Sequence, residues 1–312
     1  MNHFTTVNDV PDVNRLVDES IALKAEPFQS KIGTDRALGL LFLNPSLRTR
    51  MSTQRAAGNL GMQVMVLNID KDGWKLEFED GAVMDGGTQE HIKDAARVLS
   101  QYCEVLGIRS FAGLKDREED DSERILRQFM EHASVPVVSL ESATLHPLQS
   151  LADMMTIRET GIQRPKVAVT WAPHPKPLPQ AVVNSFLEWV PHIDAEVTLA
   201  HPEGYDLNPK FTQGLEVTNN QEEALAGADF VYTKSWSSYV HYGERPPVKE
   251  NWTVSKEKMA LTNSGRFMHC LPIRRNVVAT DEVIDRSLVY EQARNRVFSA
   301  QAVLKTLLEN TV

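Results

Sequence analysis

The chain has 312 residues, with 42 Asp+Glu against 33 Lys+Arg for a formal net charge of −9, and is 42% hydrophobic and 24% charged. That length suits two domains sharing a cleft, and that composition excludes general disorder. No basic stripe is available to displace counterions from a nucleic acid, no apolar run is long enough to span a membrane, and the start MNHFTTVNDVPDVNRL lacks a basic region ahead of an apolar stretch. The expectation is therefore a cytoplasmic protein with neither a nucleic-acid nor a membrane partner.

Taken in chain order, Val13, Leu16, Val17 and Ile21 recur at helical spacing over 9–25, with Asp9 as the cap. Residues 37–43 read as a buried strand, broken by Asn44-Pro45-Ser46 before a helix that runs to Asn59 and stops at Gly61. Strands at 62–69, 104–109 and 136–140 alternate with helices at 88–101 and 122–131, and the acidic run 116–123 reads as a solvated helix start. After a helix at 147–158 the rhythm restarts, with strands at 166–171, 196–199, 229–232 and 267–271 and a helix at 181–190. Residues 291–309 form a closing helix with one apolar face. The segment Trp171-Ala-Pro-His-Pro-Lys-Pro-Leu-Pro179, with four prolines in nine residues, is stiff and extended. The predicted fold class is α/β: two doubly wound parallel-sheet domains with an interdomain cleft, spanning 1–147 (completed by 291–312) and 148–290.

The sharpest chemical signal is Asn44-Pro-Ser-Leu-Arg-Thr-Arg50, where a strand ends and a helix begins. Hydroxyls from Ser46 and Thr49, forks from Arg48 and Arg50, and unpartnered N–H groups of the first helical turn together make an anion seat suited to phosphate. The plainer alternative makes Ser46 an N-cap and the arginines a solvated face. Neither GxxxxGK[ST] nor GxGxxG occurs, which disfavours nucleotides and a nicotinamide enzyme. The two cysteines, Cys103 and Cys270, lie 167 positions apart with no CxxC and no histidine cluster, so no disulfide framework and no metal site are expected, and Cys103 reads as core filling.

Ser46-Leu-Arg-Thr-Arg50, His146-Pro-Leu-Gln149 and His269-Cys-Leu-Pro272, in register over 227 positions, resemble the carbamoyl-phosphate and amino-substrate motifs of the transcarbamylase family. Within it, Met84-Asp-Gly86, the proline-rich strip, Lys234-Ser-Trp236 and the continuation Ile273-Arg-Arg-Asn276 resemble the branch acting on N-acylated ornithine. The Ser-Met-Gly loop of ordinary ornithine enzymes is absent. The resemblance implies transfer of a carbamoyl group from carbamoyl phosphate to the δ-amine of an N-acylornithine in arginine biosynthesis, with no cofactor and no metal. It implies catalytic roles for Arg109, Thr49 and His146 at the carbonyl oxygen, for Gln149 at the carbamoyl amide, and for the carbonyls of Cys270 and Leu271 as positioners. Carbamoyl phosphate would further meet Ser46, Leu47, Arg48, Arg50, Trp74 and Arg296. The Trp74 loop would close a neighbouring subunit's site, which implies a homotrimer with shared active sites, and the proline-rich strip would thread a loop after Lys234 to make a knotted second domain.

For the acylornithine, the resemblance places Lys234 and Arg274 near carboxylates, Glu141 and His174 toward amine and amide, and Phe111 as an apolar wall. Acetyl-preferring members resemble one another in a Glu at the position of Gln89 and a Lys at that of Val278, succinyl-preferring ones in Pro and an aliphatic residue. Neutral Gln89 does not repel a second carboxylate, and Val278 is aliphatic, so N-succinylornithine is the favoured substrate with N-acetylornithine as the alternative. A catalytically silent anion sensor is the alternative of another class.

Overall fold

The computed structural model describes residues 1–310, which divide into two compact units: 1–112, 118–148 and 296 onward in the first, 113–117 and 149–295 in the second. Helix α1 (Val13–Ala22) starts later than the sequence suggests, because the Asp9 carboxylate accepts from Thr5 and Thr6 while Asp12 caps Arg15 N–H at 2.9 Å. Strand β1 (Ala37–Phe42) is buried at all six positions and leads to α2 (Arg48–Leu60), which ends at Gly61 with φ +83°. A Cβ at Gly61 would lie 2.2 Å from the Ser30 carbonyl oxygen, so only glycine fits there.

Strand β2 (Gln63–Asn68) and the short α3 (Ile69–Asp72) follow, then β3 (Leu76–Glu77) and β4 (Glu90–His91), which pair in parallel. That pairing delays α4 (Ile92–Leu99), whose first turn is capped by His91 Nδ1 accepting from Lys93 N–H. Strand β5 (Val105–Arg109), helices α5 (Arg117–Ser122) and α6 (Arg124–His132), and β6 (Val137–Glu141) complete a parallel sheet in the order β2-β1-β5-β6. Cys103 packs against the bare face of Gly39 in β1, where a Cβ would stand 2.9 Å from its sulfur, and burial pushes its thiol up to about 11.

The second unit contains most of α7 (Pro147–Arg158), then β7 (Lys166–Trp171), α8 (Ala181–Trp189), β8 (Glu196–Ala200), α9 (Pro209–Thr212), β9 (Glu216–Thr218) and α10 (Gln221–Leu225). It continues through β10 (Phe230–Lys234), α11 (Lys256–Met259), β11 (Arg266–Met268) and α12 (Asp281–Asp285) into α13 (Val289–Asn310), whose last turns belong to the first unit. Its sheet is also parallel, in the order β11-β10-β7-β8-β9. Edge strand β9 has no buried side chain, which is why no apolar run betrays it in the sequence. Each sheet reverses its winding once, between β1 and β5 and between β7 and β10, and ligands of such sheets bind at the carboxyl ends flanking these switch points. Among the described residues, no helix is long and apolar enough to cross a membrane.

Candidate functional site

In the first unit, the β1–α2 connection leaves the carboxyl end of β1 at the switch point. Leu47, not Ser46, occupies the N-cap position of α2, and no side chain caps this end, so the capping alternative is corrected. The first-turn N–H groups are left to an external acceptor, with the positive end of the helix dipole behind them. Around this end Thr49 is buried, Ser46, Arg48 and Arg50 are half-buried, and Leu47 is exposed. The Arg50 guanidinium donates to Asn68 Oδ1 and lies 4.9 Å from the Phe42 ring centroid, which fixes its plane. Its Nε and the Thr53 hydroxyl are buried without a hydrogen-bond partner among the described residues. An uncapped helix start of this kind suits an anion such as phosphate.

Next to it, Arg109 ends β5 opposite Phe42 in register. Its Nη1 donates to Glu141 Oε2 at 2.7 Å, its guanidinium lies 4.2 Å from the Phe111 ring centroid, and its Nε has no partner among the described residues. His146 Nε2 lies 3.5 Å from the same Glu141 oxygen. The Glu141 carboxylate holds Arg109 and faces His146, because the β5–β6 register shifts after Ile108 and brings Glu141 opposite Arg109. The shift leaves Glu141 at φ +149°, a conformation that costs a non-glycine residue on the order of 1–3 kcal/mol and persists only where the surroundings fix it. Phe111, expected to wall the second substrate, is the aromatic face under Arg109. Arg296 is buried in α13, with Nη1 3.3 Å from Ser299 Oγ. Trp74 is 55% exposed and donates to Glu90 Oε2 at 2.7 Å, and Gln89 is exposed in the segment before β4.

In the second unit, Gln149 donates to Asp153 Oδ1 at 2.8 Å from one turn earlier on α7. Asp153 is fully buried and also accepts from Gln292 Nε2 at 2.9 Å and the Tyr232 hydroxyl at 2.8 Å. Gln292 in turn accepts from the His269 backbone N–H at 2.8 Å, and His269 Nδ1 accepts from Leu271 N–H at 3.1 Å. The Gln149 amide and the Cys270-Leu271 turn are thus set by one buried carboxylate. Leu271 sits at φ +40°, which the His269 side chain helps to hold. Asp153, Gln292 and Tyr232 were not singled out from the sequence; the available signal was a lone acid in the otherwise uncharged stretch 148–157, four residues from Gln149.

At the second switch point, the strip after β7 carries His174, whose Nε2 accepts from Arg274 Nε at 3.0 Å, and Lys234 ends β10. The strip is bound along its length by the loop after β10: Ser237 N–H donates to Leu178 O at 2.9 Å and Gln180 Nε2 to Ser237 O at 2.9 Å. Val278 is 1% exposed, and its N–H donates to the Arg274 carbonyl at 2.9 Å. Among the described residues no cluster of His, Cys, Asp and Glu suits a metal ion.

A parallel α/β protein with an uncapped helix start and a buried arginine–glutamate pair at one switch point, and cations at the other, has an arrangement suited to a group transferase using a phosphorylated donor. Residues 2–159 match the family described as aspartate/ornithine carbamoyltransferase, carbamoyl-P binding domain, and residues 179–307 match its Asp/Orn binding domain. The chain belongs to the aspartate/ornithine carbamoyltransferase family. It is 49% identical to the N-succinylornithine carbamoyltransferase of Bacteroides fragilis, covering 99% of both chains. It is 35% identical to the N-acetylornithine carbamoyltransferase of Xanthomonas campestris pv. campestris, covering 99% of this chain and 98% of that one. Among solved structures, acetylornithine transcarbamylase complexed with acetylcitrulline superposes with TM-score 0.92 at 34% identity, covering 98% of this chain and 99% of that one. A mutant N-acetyl-L-ornithine transcarbamylase complexed with carbamyl phosphate and N-succinyl-L-norvaline gives the same TM-score, identity and coverage of this chain.

Proposed function

We propose that the protein transfers the carbamoyl group of carbamoyl phosphate to the δ-amine of N-succinyl-L-ornithine, yielding N-succinyl-L-citrulline and phosphate, as a step of arginine biosynthesis. The observation that carries this reading is the uncapped start of α2 beside the buried Arg109–Glu141 pair, found in a chain 49% identical over its length to an N-succinylornithine carbamoyltransferase. The first unit holds carbamoyl phosphate and the second holds the acylornithine. Ser46, Leu47, Arg48, Thr49 and Arg50 grasp the phosphate, with Arg296 and, from a neighbouring subunit, Trp74 contributing. Arg109, Thr49 and His146 donate to the carbonyl oxygen as negative charge grows there, and Glu141 keeps Arg109 in plane. Gln149 and the Cys270 and Leu271 carbonyls orient the carbamoyl amide and the incoming amine. The unprotonated amine nitrogen then attacks the carbamoyl carbon, the bond from that carbon to the phosphate oxygen breaks, and the proton shed by the nitrogen leaves with the phosphate. No side chain becomes covalently attached, and Cys270 is a positioner.

The protein works as a cytoplasmic homotrimer with shared sites. The mutual binding of the proline-rich strip and the loop after β10 supports a knotted second unit. Lys234 and Arg274 meet carboxylates, while Gln89 and Val278 leave room for the succinyl arm. Assaying phosphate release and the citrulline derivative with N-succinyl-, N-acetyl- and free L-ornithine tests the reading. N-succinylornithine is expected to give the highest kcat/KM, and a higher value with N-acetylornithine would refute the succinyl assignment. Thr49→Val, which keeps the shape and removes the hydroxyl, is expected to lower kcat roughly a hundredfold, the usual effect of deleting one donor to a developing oxyanion.

A further inference from the structure

His174 accepts a hydrogen bond at Nε2 from Arg274 Nε, and an arginine N–H has only a proton to offer, so that nitrogen presents its lone pair and the ring is neutral. Burial holds the imidazole below the usual histidine range, and the charges of Arg274, Lys234 and Arg245 act in the same direction against the Lys176 carbonyl. Arg245 is fixed beside it, because its Nη1 donates to the carbonyl of neighbouring Pro175 at 2.7 Å. The next residue, Pro246, accepts the hydroxyl of buried Tyr205 at 2.8 Å, so the loop carrying Arg245 is tied to the body of the unit.

Three cations thus gather around one neutral histidine, and among the described residues none of them is paired with a carboxylate. The contrast with Arg275 is direct: one residue from Arg274, it binds both Asp281 at 2.9 Å and Asp285 at 2.8 Å. Positive charge left uncompensated by the protein is complementary to negative charge on a ligand. The acylornithine α-carboxylate accounts for one negative charge; a succinyl arm brings a second, whereas an acetyl group brings none.

We infer that Arg245, held by the Pro175 carbonyl, is a specificity-determining residue that binds the terminal carboxylate of the succinyl arm. This rests on the succinyl reading above. The test is calorimetric titration of wild-type protein and Arg245→Gln, in the presence of carbamoyl phosphate, with N-succinyl-L-norvaline and N-acetyl-L-norvaline, which lack the reacting amine. The substitution is expected to weaken N-succinyl-L-norvaline roughly tenfold, as loss of a hydrogen bond to a charged group does, with partial recovery in Arg245→Lys. Binding of N-acetyl-L-norvaline, binding of carbamoyl phosphate and Tm are expected to stay as in wild type. An equal loss for both norvalines, or no loss for the succinyl one, overturns the inference. Wild-type turnover of the succinyl and acetyl substrates tests the underlying reading separately: if N-succinylornithine turns over while Arg245→Gln is indifferent, only the role of Arg245 falls.

Discussion

Asp153 touches no substrate in the proposed reaction, yet Gln149, Gln292 and Tyr232 all donate to its fully buried carboxylate. Burial, reinforced by Asp153, keeps the Tyr232 phenol well above its ordinary range, so it remains a donor across the working pH. Two carboxylate oxygens offer about four lone pairs, enough for the three donors. Asp153→Ala leaves three buried donors without an acceptor at about 1–3 kcal/mol each, so a loss of roughly 3 kcal/mol or more is expected. Asp153→Asn keeps one oxygen for both glutamines and turns its amide to the Tyr232 oxygen, which can accept, so a smaller loss is expected. Thermal denaturation of the two variants checks this, and equal losses would show that the network contributes packing alone.

The same dependence on distant partners governs the connection between β6 and α7. Glu123, at φ +52°, separates α5 from α6 where the sequence suggests one helix, and its carboxylate accepts from Ser142 Oγ at 2.6 Å, Thr144 N–H at 2.7 Å and Thr144 Oγ1 at 2.5 Å. It therefore fixes the turn between Glu141 and His146, the two groups that face each other beside Arg109. Glu123→Ala is expected to destabilise the protein by about 2 kcal/mol through the lost charge-assisted bonds. It should also lower kcat more than it raises the KM for carbamoyl phosphate, since the seat on α2 is untouched; steady-state kinetics over both substrates checks the split. These ties also mark where the sequence stops being legible. Helix α7 and strand β7 begin and end as predicted, because their apolar runs coincide with whole elements, and Gly61 announces the end of α2. β3, β4 and β9 are two or three residues long with no buried side chain, so they leave no pattern. The segment 46–50 stood out in the sequence because its polar and charged side chains are contiguous. Asp153 and Glu123 did not, because beyond Gln149 the partners of Asp153 lie 79 and 139 positions away, and those of Glu123 about 20.

At the scale of the whole molecule, alternating strand and helix signals declared two parallel sheets, but the pattern says nothing about which polar groups close each unit against acid. Burial lowers the pKa of one partly buried histidine in each. In the first unit, His3 Nδ1 accepts the Val137 N–H at 3.1 Å and helps lay the amino-terminal segment along β6, where Phe4 N–H also reaches the Val137 carbonyl at 2.9 Å. Burial lowers the His3 pKa, with Asp9 opposing. In the second, His174 is lowered by burial and accepts from Arg274. Each ring would have to protonate the nitrogen that now accepts. For a histidine whose folded pKa is depressed, both states are neutral above the unfolded value of about 6.5, and no pH dependence arises there. As pH falls below that value the unfolded chain takes up protons that the folded chain resists, so stability falls until the folded pKa is reached. Self-repulsion of a chain at −9 acts in the opposite sense, since it eases as carboxylates protonate. Tm is therefore expected to drop as pH falls below about 6.5 in the wild type. The double variant His3→Gln/His174→Gln should show a shallower drop over that range, since glutamine keeps an acceptor without the titration. Calorimetric scans at closely spaced pH values read this directly. Equal slopes for the two proteins would assign the acid sensitivity to carboxylates instead.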